Sequence, residues 1–149
     1  MRRGLALPIG SMMVGTRRFS RRARDIRKVL GGGRRQAGVI AAAGIISLEV
    51  MTKRVRDDHR HAAVLAEGLR RISGLVLDEN SPQTNMIYFT IASNVPFGEL
   101  GLVEKLAGRG IQIDWSGPRR IRLVTHYLVD DKAVEKTVSA FRDVFDSGA

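Results

Sequence analysis

Arg27-Lys28-Val29-Leu30-Gly31-Gly32-Gly33-Arg34-Arg35-Gln36-Ala37-Gly38 sets three consecutive glycines between a cationic helix end and an apolar helix start. Glycine lets a backbone approach a ligand closely, and the N–H groups that open a helix favour an anion. The segment therefore reads as a candidate phosphate or carboxylate cradle made by Gly31, Gly32 and Gly33, with Lys28 and Arg35 supplying charge from either side. The plain alternative is a helix stop followed by solvated basic residues, and a glycine-rich loop alone does not decide between the two.

Working outward, residues 17–29 place Phe19, Ala23 and Ile26, followed by Leu30, at helical spacing, and the glycines end that helix. Residues 11–14 before it read as a short strand. Residues 37–50 form a helix apolar nearly all round, whose Ala41, Ala42, Ala43 and Gly44 permit close packing. Such a helix belongs between layers, and left uncovered it would drive association. A longer helix over 53–72 carries Val55, Ala62, Ala66, Leu69 and Ile72 on one side and closes at Gly74. Strands are then expected at 75–77, 86–91, 111–113 and 121–124, and helices at 96–107 and 131–145. This order predicts an α+β layer, with helices over one face of a small, mainly antiparallel sheet, and a domain boundary near Thr52.

The net charge of +10 sits at the front of the chain: residues 1–36 hold ten arginines and Lys28 against Asp25, and the rest is balanced. Nucleic-acid binding, a targeting peptide and a solvated helix face are the candidates. The absence of a reading motif and of interleaved aromatics argues against nucleic acid. With no cysteine, disulfides and thiolate metal sites are excluded, and the three histidines form no metal-ligand pattern. The longest apolar stretch falls short of the roughly 20 residues a membrane span needs. These features are those of a cytoplasmic protein.

Arg122 is the outstanding single residue. In a strand whose Ile121 and Leu123 face a core, it projects to the opposite face with Val124, where it can grip a carboxylate with two parallel N–H bonds. Asp57, Asp58 and His59 read as a surface patch that pairs with neighbouring arginines. His126 ends the strand, Gln83, Thr84 and Asn85 shape the entrance to another, and Trp115 packs in a core or an interface.

Several ordered motifs carry a resemblance: Gly4-Leu5-Ala6-Leu7-Pro8-Ile9-Gly10-Ser11, the glycine run from Gly31 to Gly38, Asp57-Asp58-His59 onward, Gln83-Thr84-Asn85-Met86, and Arg122-Leu123-Val124-Thr125-His126. Together they resemble the C-terminal part of the threonine aldolases, pyridoxal-phosphate lyases of the aspartate-aminotransferase-like fold (fold-type I) grouped with the β-eliminating lyases. The resemblance implies that 1–52 is the end of a cofactor-binding large domain with its connecting helix, and that 53–149 is a small α+β domain. It implies cleavage of β-hydroxy-α-amino acids to glycine and an aldehyde, and assembly as a homodimer or homotetramer. It further implies that Arg122 holds the substrate α-carboxylate and that Lys28, Arg35 and Gly31 to Gly33 lie near pyridoxal phosphate.

The same resemblance puts the Schiff-base lysine at Arg3, and a guanidinium does not form that imine. Ala6 stands where the family has a glycine, and Arg34 where it has methionine. The chain is therefore expected to be an inactive C-terminal fragment. The alternative is a non-catalytic binding module that uses the basic N-terminal segment on nucleic acid or an acidic partner.

Overall fold

A computed structural model describes residues 5–7, 9 and 13–147. The chain divides into two compact units, Met1–Lys53 and Arg54–Ala149. The described part of the first unit is helical. Helix α1, Arg17–Val29, starts at Thr16, whose hydroxyl accepts the Phe19 N–H. Helix α2, Gly38–Ile46, runs through a π-helical turn, Ser47–Met51, into α3, Thr52–Arg70. The expected strand at 11–14 does not form at Met13 and Val14; Ser11 and Met12, like Arg3, lie outside the described residues. No residue of α2 is buried, and Val39, Ile45 and Ile46 are exposed. The sequence pattern had placed this helix between layers.

The second unit is a four-stranded antiparallel sheet with helices on one face. The strands are β1 Leu75–Leu77, β2 Met86–Ile91, β3 Asp114–Gly117 and β4 Arg120–Val124, in the order β1-β2-β4-β3. The remaining helices are α4, Glu99–Ala107, and α5, Asp131–Asp146. Strict alternation sorts the two faces of the sheet. Ile87, Phe89, Ile91, Ile121 and Leu123 join Ala62, Leu65, Ala66 and Leu69 of α3, Leu102 and Leu106 of α4, and Phe141 and Val144 of α5 in one core. Phe89 meets Phe141 edge to face with ring centroids 5.7 Å apart. Where α3 passes α5, a methyl on Gly68 would lie 2.6 Å from a Val138 methyl, so this glycine sets how closely the helices approach.

Two expectations are corrected here. The strand predicted at 111–113 is a loop, and pairing begins at Asp114. Ile111 donates its N–H back to the Leu106 carbonyl at the end of α4, which takes it off the ladder, while Ile111 and Ile113 pack sideways on the core. Trp115 is not a core residue; it is 46 % exposed on the edge strand β3. The hairpin between β3 and β4 is fastened by Arg119, whose φ of 54° lies in the left-handed region. Its side chain donates to the carbonyls of Ile91, Ala92 and Val95, and its backbone N–H donates to Glu99 Oε2 at 2.8 Å.

Candidate functional site

The sheet face away from the helices carries Tyr88 on β2 directly opposite Arg122 on β4, and Asp114 on β3 opposite Arg122 from the other side. Arg120, two residues before Arg122, points to the same face. The two arginines differ in what holds them. Arg120 Nη2 lies 2.5 Å from Asp78 Oδ2, and its guanidinium sits over the Tyr88 ring at 5.6 Å. Arg122 reaches only Asp114, at 3.5 Å, and its Nε is buried with no hydrogen-bond partner among the described residues. A planar cation with an unmet donor and one long contact has hydrogen-bonding capacity left for a carboxylate.

The end of β4 is fixed from behind. Thr125 is buried and donates its hydroxyl to the Asp58 carbonyl at 2.6 Å, and its backbone exchanges bonds with Asn85 from both sides. These contacts hold the strand from which Arg122 projects, and they give Asn85 a structural role. His126 Nδ1 accepts the Leu128 N–H, which turns the chain after the strand.

Asp58 itself corrects the surface-patch reading. It is fully buried, with Arg54 Nη2 3.5 Å away, and neither carboxylate oxygen has a hydrogen-bond partner in the described structure. Asp57 and His59 are exposed, as a surface patch requires. His61, which drew no attention in the sequence, is buried with its Nε2 3.3 Å from Asp131 Oδ1. Arg60 reaches the same carboxylate at 2.7 Å, and that hydrogen bond is the main cause holding the Asp131 carboxyl below its ordinary value. The spacing of Asp58, His61, Ala62, Leu65, Ala66 and Leu69 was the available signal: all lie on the inward side of α3.

The glycine loop belongs to the first unit and has a different geometry from that of an open cradle. Gly31, at φ 75°, donates its N–H to the Lys28 carbonyl at 3.1 Å, and Gly32 donates to the Arg27 carbonyl at 2.8 Å. This pair of bonds is a Schellman cap, which satisfies the last carbonyls of α1. Gly33 lies beside Lys28, where a methyl on it would contact the lysine Cγ at 3.7 Å. Lys28, Arg35 and all three glycines are exposed. Among the described residues no group of three or more His, Cys, Asp or Glu is placed to hold a metal ion, and no helix is long and apolar enough to cross a membrane.

Comparison with known proteins places this geometry in context. The sequence model of the Beta-eliminating lyase family matches residues 1–92. A probable low-specificity L-threonine aldolase 2 of Arabidopsis thaliana is 39 % identical over 145 residues, covering 97 % of this chain and 41 % of its own length. A low specificity L-threonine aldolase of Escherichia coli (strain K12) is 35 % identical over 140 residues, covering 94 % of the chain and 40 % of the relative. The chain thus spans about two fifths of the length of these relatives. Among solved structures, a C-DES mutant with glycine covalently linked to its PLP cofactor superposes with a TM-score of 0.59 at 22 % identity, over 72 % of this chain and 28 % of that one. That likeness gives the fold, an aminotransferase-like fold of type I.

Proposed function

The chain belongs to the Beta-eliminating lyase family, and from that premise we propose that it is the C-terminal portion of a threonine-aldolase-like lyase, supplying the arginine that grips the substrate carboxylate but not the means of turnover. The observation that carries this reading is the contrast between two neighbours: Arg120 is engaged by Asp78 and Tyr88, whereas Arg122 has a buried Nε without a partner. In the whole protein, the reaction would be cleavage of a β-hydroxy-α-amino acid to glycine and an aldehyde, with pyridoxal phosphate supplying the electron sink. A homo-oligomeric assembly and a cytoplasmic location are part of the same proposal.

The described residues do not by themselves fit that cofactor. The N–H groups of Gly31 and Gly32 are committed to the helix cap, and Lys28 and Arg35 stand on an exposed surface. Arg3, outside the described residues, cannot form an imine with an aldehyde as lysine does. What this chain contributes is positional. Arg122 would orient the carboxylate, and Thr125, held by Asp58 and Asn85, would keep the strand beneath it in place.

The test uses the full chain with added pyridoxal phosphate and L-threonine, followed by borohydride reduction and mass spectrometry. No glycine and no lysine-trapped adduct are expected. Sustained glycine formation, or a stoichiometric adduct at a single lysine, would overturn the inactive-fragment reading.

A further inference from the structure

Helix α1 has seven cations and one acid in 13 residues, and none of its residues is buried. Its apolar residues nonetheless fall on one line. Phe19, Ala23 and Ile26, with Leu30 just past the helix end, lie at successive offsets of four, three and four. They line a groove of about 490 Å³ with Arg22 and Arg27, and helical geometry sets those two arginines on opposite sides of the apolar line. Phe19 is 47 % exposed, Ile26 49 % and Leu30 79 %. Arg17, Arg21, Arg24 and Lys28 occupy the far face.

From this arrangement we propose that the α1 groove docks an acidic amphipathic helix of a partner protein, whose apolar seam fills the groove and whose flanking carboxylates meet Arg22 and Arg27. The choice of occupant follows from charge and shape. A second copy of this chain would bring two strongly cationic helices together, which electrostatics opposes. Nucleic acid would use the arginines and leave the apolar line unfilled. A lipid surface calls for an apolar face that protrudes, whereas this one is a groove a single residue wide with a cation on each rim. A helix with apolar residues three and four apart and glutamates on both sides satisfies line and rims together. The proposal does not depend on the reading of Arg122.

The experiment measures fluorescence anisotropy of a labelled synthetic helical peptide, with leucines at a three-four spacing flanked by glutamates, titrated with the full chain. Saturable binding that weakens with salt is expected. Arg22→Glu/Arg27→Glu and Ile26→Asp should each weaken it at least tenfold. A peptide with lysines in place of the glutamates should bind the charge-reversed variant in preference to the original chain. These residues are exposed, so the variants should keep the circular dichroism spectrum of the parent, which is recorded alongside. The proposal is overturned if the acidic peptide fails to bind or if either variant binds it as well as the parent does. It is equally overturned if the peptide fails while phosphatidylserine vesicles or duplex DNA bind tightly, or if sedimentation shows self-association through α1 that the peptide cannot displace.

Discussion

Gly74 closes α3 and opens β1 at a φ of 93°, and a methyl placed there would come within 2.7 Å of a Val95 methyl and 3.1 Å of the Phe145 ring. Strain and overlap act together, so Gly74→Ala should destabilise the second unit by about 2–3 kcal/mol, read from urea denaturation followed by far-UV circular dichroism. That a glycine ends this helix is legible in the sequence; that its hydrogen faces a packed phenylalanine is not, because Phe145 is far away along the chain. Arg122 shows the same division. Its direction follows from alternation with Ile121 and Leu123, while its unmet Nε depends on cross-strand neighbours that only folding brings together. Asp58 was missed for a different reason. A carboxylate is ordinarily assigned to the surface, and its helical register with Ala62, Leu65 and Leu69 is the stronger signal here.

At the scale of elements, α5 is attached to α3 through charge as well as through the core. Asp130 caps α5 by accepting the Ala133 N–H, and Asp131 beside it receives Arg60 and His61 of α3. The Asp131 carboxyl is lowered from 3.8, chiefly by the Arg60 hydrogen bond, and Glu99 is lowered from 4.5, first by its own backbone N–H and then by that of Arg119. A folded-state value below the unfolded one means stability that is present above the unfolded value and lost as pH falls through the folded one. The urea midpoint should therefore hold steady down to about pH 5 and decline below about 4.5, and Asp131→Asn/Glu99→Gln should flatten that decline; an unchanged slope would remove these two contacts from the account. Helix α1 and strands β1, β2 and β4 follow directly from apolar periodicity. Strand β3 does not, because Asp114 and Ser116 carry no strand pattern, and the apolar Ile111 and Ile113 beside them pack on the core from a loop. The glycine run was read as an anion cradle, and the bonds from Gly31 and Gly32 instead make it a helix cap, a function that the same residues serve equally well.

For the whole molecule, every residue of the buried core lies between Ala62 and Phe145. Residues 54–147 expressed alone should thus retain a single cooperative thermal transition by circular dichroism; a gradual, non-cooperative loss of signal would show that the second unit depends on the first. The exposed apolar surface of α2 belongs with a chain that spans two fifths of its relatives. The central claim is that this chain carries the carboxylate grip of a threonine-aldolase-like lyase without its own turnover. The most direct test joins the part of the Arabidopsis relative that precedes its matched stretch, including the lysine position corresponding to Arg3, to this chain from Gly4 onward. Steady-state threonine cleavage is then measured with Arg122 and with Arg122→Ala. The account predicts an active chimera in which Arg122→Ala raises KM for threonine by about tenfold or more, as loss of a charged hydrogen-bonding partner of about 1.5–3 kcal/mol requires. An active chimera with an unchanged KM in Arg122→Ala would contradict it.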